Sequence, residues 1–164
     1  MFEKIKAIAT DVDGVLTDGT FWWGTNGEEF KRFCFADVTG VAMARKAGLK
    51  LALVSGESSE AAKLLVQRFA DKLQIPDIYK GCHDKAGAVK EFAGRYGLRL
   101  SEVCFIGDDT LDVPAMEIVG VAVAPANAQK IARENATWIA SANGGSGVLR
   151  EVIEMVLEQQ KNSK

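Results

Sequence analysis

Short apolar runs alternate with longer segments of helical periodicity along the chain. The runs that predict strands are residues 5–10, 49–54, 78–79, 103–106, 121–123 and 137–139. Apolar spacing predicts helices over residues 39–47, 58–69, 84–96, 113–119, 128–135 and 148–159. Because strands that are apolar throughout must be covered on both faces, the pattern predicts an α/β fold of Rossmann type. Its parallel sheet would carry helices on both faces.

Residues 21–35 interrupt this alternation. The turn signal Gly24-Thr25-Asn26-Gly27 lies in their middle, with aromatic residues on both sides, and predicts a β-hairpin inserted after the first strand. A length of 164 residues suits one domain with one core, and no linker or repeat divides residues 1–164. A glycine-rich segment and a terminal helix are expected at about 141–160.

Composition narrows the class of protein. The formal net charge of −2 gives no indication of a nucleic-acid partner. Cys34, Cys82 and Cys104 are odd in number and scattered, which argues against a disulfide framework or a zinc site and favours a reducing compartment. The first residues lack the apolar region of a signal peptide, and no apolar run is long enough to cross a membrane. We therefore expect a cytoplasmic protein.

Polar side chains follow three of the predicted strands. Asp11 and Asp13 come after the first, the Ser55-Gly56 step ends the second, and Asp108 follows a later one. In open parallel sheets, ligands bind outside the carboxyl ends of the strands. Two carboxylates two residues apart are costly unless a cation lies between them or a proton is shared. The acids could instead be a solvated edge, an alternative that the first pair alone leaves open.

A second acidic cluster, Asp108, Asp109 and Asp112, makes that alternative weaker. Carboxylate oxygens from separate segments suit magnesium, which prefers octahedral oxygen coordination. Ser55 offers a hydroxyl, although a Ser-Gly step also marks an ordinary turn. Lys85, near a helix start, could supply positive charge or be a surface lysine, and the one histidine, His83, is given no catalytic role.

The order of these residues resembles the haloacid dehalogenase superfamily. Its four motifs correspond here to Asp11-Val12-Asp13-Gly14-Val15, to Ser55, to Lys85, and to Gly107-Asp108-Asp109 with Asp112. The match spans most of the chain.

The resemblance implies a role for each motif residue. Asp11 would attack phosphorus to form an aspartyl phosphate, and Asp13 would act as acid and then as base. Mg²⁺ would be held by Asp11, by the backbone carbonyl of Asp13 and by Asp108, with Asp109 and Asp112 in support. Ser55 and Lys85 would bind the transferring phosphoryl oxygens.

The whole chain looks like the capless branch that contains 3-deoxy-D-manno-octulosonate 8-phosphate phosphatases. The supporting stretches are Asp18-Gly19, Asn26-Gly27-Glu28-Glu29, Gly81 with Asp84-Lys85, and residues 144–151. About forty residues separate Asp13 from Ser55 and about thirty separate Ser55 from Lys85, so neither gap holds a cap domain. The branch implies a homotetramer with packed hairpins.

The aromatic residues Phe21, Trp22 and Trp23 fit such an interface, although they could pack on their own subunit's core. The segment Gly144–Gly147 could be a mobile tail over the site or simply a loop.

The resemblance also implies the substrate, a small phosphorylated 2-keto-3-deoxy sugar acid of the octulosonate 8-phosphate or nonulosonate 9-phosphate type. Substrate contacts are expected from Phe35, Asp37, Gly56, Glu57 and Lys85.

The chain departs from the octulosonate pattern where that pattern has arginines, at Ala36, Glu57 and Leu65. Arginines there would pair with the acid's carboxylate. Two other functions stay open: a phosphatase for another small phosphorylated metabolite, or a non-catalytic assembly domain of the same fold.

Overall fold

The computed structural model describes residues 1–163. The strands are β1 (Ala7–Thr10), β2 (Trp22–Trp23), β3 (Glu29–Phe30), β4 (Lys50–Ser55), β5 (Asp77–Lys80), β6 (Val103–Ile106), β7 (Val121–Ala124) and β8 (Trp138–Ile139). The α-helices are α1 (Phe35–Lys46), α2 (Glu60–Leu73), α3 (Lys85–Arg95), α4 (Val113–Met116), α5 (Lys130–Asn135) and α6 (Val148–Asn162). Single 3₁₀ turns cover Phe2–Lys4, Leu100–Glu102 and Thr110–Asp112.

Six of the strands form one parallel sheet in the order β5-β4-β1-β6-β7-β8. The strands β2 and β3 form a separate antiparallel pair, which is the predicted hairpin. The predicted fold class is therefore confirmed. Because β1 lies between β4 and β6, the three strand ends that carry the predicted motif residues are neighbours.

The alternation of side chains along the strands builds one apolar layer on each face of the sheet. Ile8 of β1 belongs to the layer covered by α1, α2 and α6, whereas its neighbours Ala7 and Ala9 belong to the layer covered by α3, α4 and α5. Both layers are buried, which explains why the strands are apolar at every position. Within residues 1–163, no helix combines the length and the apolar character needed to cross a bilayer.

Asp37, in the first turn of α1, is fully buried against the start of α6. Its Oδ1 accepts a hydrogen bond from the backbone N–H of Arg150 at 3.0 Å, and the N–H of Leu149 faces the same carboxylate. The residue that precedes α6 is Gly147, which has no side chain to cap the helix. Asp37 therefore supplies from α1 the cap that α6 lacks.

Burial raises the pKa of Asp37 to about 6, although the two amide groups act against it. Since this pKa lies above the ordinary value, the folded chain holds the proton more tightly than the unfolded chain does. The free energy of unfolding should therefore fall as pH rises from about 4 to about 6. An Asp37→Asn variant keeps the oxygen acceptor without this titration. It should gain about 1–3 kcal/mol over the wild type between pH 4 and pH 7.

Urea denaturation of both proteins at several pH values measures this difference in the free energy of unfolding. Because the two proteins share all other carboxylates, the contributions of those groups cancel in the difference. A difference that does not change with pH would contradict the assignment.

Candidate active site

The carboxyl ends of β1 and β6 bring two acidic segments together. Asp11 directly follows β1, and its backbone N–H donates to the carbonyl of Ile106, the last residue of β6, at 2.9 Å. Carboxylate oxygens of Asp11, Asp108 and Asp112 all lie within 4.8 Å of one another. The sheet thus forces together acids that are about one hundred residues apart in sequence.

Lys85 lies within this acidic cluster. Its side chain is 3% exposed, and Nζ lies 2.9 Å from Oδ1 of Asp11 and 2.6 Å from Oδ1 of Asp112. Burial lowers the pKa of Lys85, but Asp11 and Asp112 raise it further, and the net pKa lies above the ordinary value. The ammonium group therefore stays charged and joins the start of α3 to both acidic segments.

One ammonium does not balance the three carboxylates, of which Asp11 and Asp112 are buried and Asp108 is half-buried. Burial and then the charge of Asp112 raise the pKa of Asp11 well above its ordinary value, although Lys85 lowers it. The same two causes raise the pKa of Asp108 to about 6, and its carboxyl lies within hydrogen-bond reach of that of Asp11. Such carboxylates need a shared proton or a cation between them. Hard oxygen donors in excess of the positive charge fit a divalent ion such as Mg²⁺.

The carboxylate of Asp112 is already engaged on both oxygens. Oδ1 pairs with Lys85, and Oδ2 accepts from the backbone N–H groups of Asp108 at 2.9 Å and Asp109 at 3.2 Å. Asp109 uses its own Oδ1 to accept from the N–H of Thr110 at 2.6 Å. Asp112 thus fixes the loop that presents Asp108, which leaves Asp11 and Asp108 as the carboxylates available to an ion.

The turn after Asp11 depends on Gly14, whose φ is +88°. A Cβ at this position would overlap the carboxylate of Asp108. Only glycine combines this left-handed backbone with room for the neighbouring acid. The turn also returns Asp13 to the same edge of the sheet.

A Gly14→Ala variant should lose about tenfold to a thousandfold of any activity at this site, because the methyl group displaces Asp108. The left-handed backbone adds about 1–2 kcal/mol of strain. Gly94 provides the control, since it lies in α3 and a Cβ at this position would have no atom within 4 Å outside the backbone of its own helix. Gly94→Ala should leave activity unchanged and raise stability by up to about 1 kcal/mol. Equal effects of the two substitutions on activity would contradict the role of Gly14.

A cleft of about 750 Å³ opens above this cluster. Of the residues predicted to act in catalysis, metal binding or substrate binding, eight line it: Asp11, Asp13, Gly56, Glu57, Lys85, Asp108, Asp109 and Asp112. We call this the site cleft. Ser55 ends β4 beneath it, buried, with Oγ accepting from the N–H of Glu57 at 3.3 Å. The structure therefore brings the four predicted motifs together.

Two residues predicted to contact the substrate lie outside the site cleft of the single chain. Phe35 and Asp37 are absent from the lining of the site cleft within the described chain. Phe35 is 72% exposed, beside the ammonium of Lys72, and Asp37 caps α6. Both lie at the start of α1, which begins four residues earlier than predicted.

Comparison with known proteins agrees with this geometry. Residues 57–152 match the sequence model of the haloacid dehalogenase-like hydrolases. The chain belongs to the haloacid dehalogenase-like hydrolases. The predictions of the superfamily and of a hydrolase are thereby confirmed.

Individual relatives cover almost the whole chain. Over 158 residues, this chain is 35% identical to the 3-deoxy-D-manno-octulosonate 8-phosphate phosphatase of Escherichia coli K12. The aligned region covers 96% of this chain and 82% of the relative. The corresponding phosphatase of Haemophilus influenzae is 35% identical over 161 residues, covering 98% and 87%.

A solved structure from Moraxella catarrhalis aligns with a TM-score of 0.91 and 34% identity, over 98% of this chain and 90% of that one. It is a 3-deoxy-D-manno-octulosonate 8-phosphate phosphatase in complex with a magnesium ion, a phosphate ion and a KDO molecule.

In this haloacid dehalogenase-like hydrolase, the glycine-rich segment is packed against the loop after β1. The N–H of Gly145 donates to the carbonyl of Val15 at 2.9 Å, and a Cβ at Gly144 would overlap the carbonyl of Gly14. In the single chain, residues 144–147 therefore form a loop that packs directly against the backbone of residues 14–18, which includes the Gly14 turn.

The site cleft of this hydrolase is also lined by several residues for which the sequence predicted no role in the site: Asp18, Thr20, Lys31, His83, Leu111, Asn127 and Gln129. Lys31 is the most buried basic group among them, and its Nζ lies 2.8 Å from Oδ1 of Asp13. Strand alternation could have placed Glu29 and Lys31 on one side of the hairpin. Nothing in the sequence indicated which side faces the cleft.

Proposed function

We propose that this enzyme is a Mg²⁺-dependent phosphomonoesterase that acts on a phosphorylated 2-keto-3-deoxy sugar acid through an aspartyl phosphate on Asp11. The observation that carries the proposal is the meeting of Asp11 and Asp108, at adjoining strand ends, with Lys85 from the start of α3 in one open cleft. The relatives that cover 96–98% of the chain are phosphatases of this substrate class.

The first chemical step joins Asp11 to phosphorus. A carboxylate oxygen of Asp11 attacks as the bond from phosphorus to the sugar oxygen breaks, and Asp13 gives its proton to that leaving oxygen. Lys85 lies 2.9 Å from Asp11, close enough to hold a phosphoryl oxygen beside the nucleophile. The Ser55 hydroxyl and the Gly56 backbone bind from the end of β4.

The second step releases phosphate. Water attacks phosphorus, its proton passes to Asp13, and the bond from phosphorus to Asp11 breaks. Asp13 thus returns to the protonated form that the next turnover requires, so that one carboxyl group serves both steps.

The ligands proposed for Mg²⁺ are Asp11, the backbone carbonyl of Asp13 and Asp108, with Asp109 and Asp112 as the supporting shell. Magnesium bound there neutralises phosphoryl oxygens that two carboxylates would otherwise repel. Asp112 supports these ligands from the backbone of residues 108 and 109.

Glu57 is the residue that we expect to separate sugar acids of different length. It lines the site cleft, and its Oε1 accepts from the N–H groups of Ser58 and Ser59 at 3.0 and 3.3 Å. A carboxylate held there disfavours a substrate carboxylate nearby and can accept hydrogen bonds from sugar hydroxyls. This favours a nonulosonate 9-phosphate over 3-deoxy-D-manno-octulosonate 8-phosphate.

A Glu57→Arg variant should therefore gain about tenfold in kcat/KM for the octulosonate relative to the nonulosonate. Steady-state kinetics on both acids measure this ratio. Identical ratios in variant and wild type would show that residue 57 does not contact the sugar.

The homotetramer also belongs to this proposal. Phe21, Trp22, Trp23 and Phe30 on the hairpin are each more than half exposed in the single chain. Aromatic residues in one such patch are typical of a protein interface. A cytoplasmic location stays a prediction from the sequence.

A panel of phosphorylated sugar acids and p-nitrophenyl phosphate, assayed with Mg²⁺ and with a chelator, tests the function. We expect Mg²⁺-dependent phosphate release, fastest on a 2-keto-3-deoxy sugar acid. Faster release from another metabolite would replace the substrate class. No release from any compound would favour the assembly domain.

A further inference from the structure

Lys31 links the hairpin to Asp13. Its side chain is 5% exposed, and its Nζ lies 2.8 Å from Oδ1 of Asp13 and 3.5 Å from Oε1 of Glu29. The charge of Glu57 also acts on this ammonium group. Two carboxylates therefore pair with one lysine at the wall of the site cleft.

Lys31 is not buried by a hydrophobic core within the hairpin itself. Trp22 and Trp23, in the opposite strand, are 70% and 72% exposed. Glu29 and Lys31 are two residues apart and share one side of the chain, whereas Phe30 between them is 56% exposed. The charged side of the hairpin thus faces inward, toward the loop that carries Asp13.

The inward side is connected to the hairpin's aromatic residues by a further contact. Nε1 of Trp23 donates to Oε2 of Glu29 at 3.3 Å, and Oε1 of Glu29 is buried without a hydrogen-bond donor of its own. Lys31 at 3.5 Å provides the charge that offsets this buried oxygen. The order Trp23, Glu29, Lys31, Asp13 runs from the hairpin surface to the site.

Asp13 needs such a partner because its carboxylate is otherwise free to rotate. Its side chain is 34% exposed, and Lys31 is the one basic group within 4 Å of it among residues 1–163. An ammonium group held on Oδ1 restricts the carboxylate of Asp13, which lines the cleft. Catalytic geometry tolerates only small displacements of an acid from its proton acceptor.

We propose that Lys31 is the positioning residue of Asp13, so that docking of the hairpin sets the orientation of the group that protonates the leaving alcohol. This inference rests on the proposed function, because it assigns Asp13 the acid role. Binding of the substrate carboxylate by Lys31 fits less well, since its Nζ is enclosed by Asp13 and Glu29.

The test compares kcat/KM of the wild type with that of Lys31→Met on three phosphates. They are p-nitrophenyl phosphate, whose leaving group needs no acid, glycerol 3-phosphate, which has a poor leaving group and no carboxylate, and 3-deoxy-D-manno-octulosonate 8-phosphate. Since kcat/KM reports the steps up to the first product release, hydrolysis of the aspartyl phosphate does not contribute. We expect a loss of about 10- to 100-fold on both alkyl phosphates and less than about threefold on p-nitrophenyl phosphate.

Two further variants separate positioning from a structural role. Lys31→Arg keeps the charge and should recover most of the loss. Adding Lys31→Met to Asp13→Asn should cost no further activity on the alkyl phosphates, because the two residues act as one unit. If Lys31→Met does not fold, Glu29→Gln in its place should show the same dependence on leaving group, with a smaller loss.

Equal losses on all three phosphates would reduce Lys31 to a structural residue and overturn the proposal. A loss confined to the sugar acid would overturn it in favour of a contact with the substrate carboxylate. Failure of the proposed function looks different, since the wild type would then release no phosphate from any of the three compounds.

Discussion

Asp11→Asn should reduce phosphate release by about 10⁴-fold or more, because an amide cannot attack phosphorus. The same substitution should not destabilise the chain. Asp11 is buried beside Asp108 and Asp112, and burial already raises its pKa well above the ordinary value. Asparagine keeps the shape and removes one of the crowded charges, while Lys85 retains Asp112 at 2.6 Å.

Phosphate release measured with Mg²⁺, and thermal unfolding measured on the same preparation without metal, check both halves of this expectation. Asp77→Asn provides a matched control, since Asp77 is also buried but pairs with Arg95 and Tyr96 far from the site cleft. It should lose stability and keep activity. An active Asp11→Asn enzyme would remove Asp11 from the chemistry.

Lys85→Met should be the most destabilising single change in the site. It leaves Asp11 and Asp112 buried without their cation, which costs about 3 kcal/mol or more in the free energy of unfolding. Turnover should fall by about 10³-fold in the variant that remains folded, because the phosphoryl oxygens lose their fixed positive charge. Urea denaturation in a chelator and steady-state kinetics with Mg²⁺ measure the two effects.

Lys130→Met is the matched control for charge removal. Lys130 forms an exposed pair with Glu134 at 3.6 Å. Exposed pairs contribute little, so its loss should change stability by less than about 0.5 kcal/mol. If the two lysine variants unfold at the same urea concentration, Lys85 does not hold the acidic cluster together.

The site could be predicted from the sequence because its residues follow strands. Buried strands are recognisable from their apolar runs, and parallel strands deliver their carboxyl ends to one edge. The predicted strand at residues 103–106 is β6 without change, and Asp108 follows it as expected. The predicted N-cap at Ser58 or Ser59 is Ser59, whose Oγ accepts from the N–H of Ala62 at 3.2 Å.

The parts that could not be predicted depend on contacts between distant segments. The helix α1 starts at Phe35 rather than at residue 39, and Asp37 within its first turn is stabilised by α6, more than one hundred residues away. The local sequence around residue 37 does not predict a cap on a helix so distant in sequence. Lys31 was missed for the same reason, because only the docked hairpin turns its ammonium group toward Asp13.

The covalent role of Asp11 is tested most directly in an Asp13→Asn variant with p-nitrophenyl phosphate and Mg²⁺. Asparagine cannot activate water, so the phosphorylated enzyme should accumulate. We expect a burst of one p-nitrophenol per active site, and mass spectrometry of the acid-quenched protein should place one phosphoryl group on Asp11. Turnover without a burst, or a phosphoryl group on any other residue, would contradict the account.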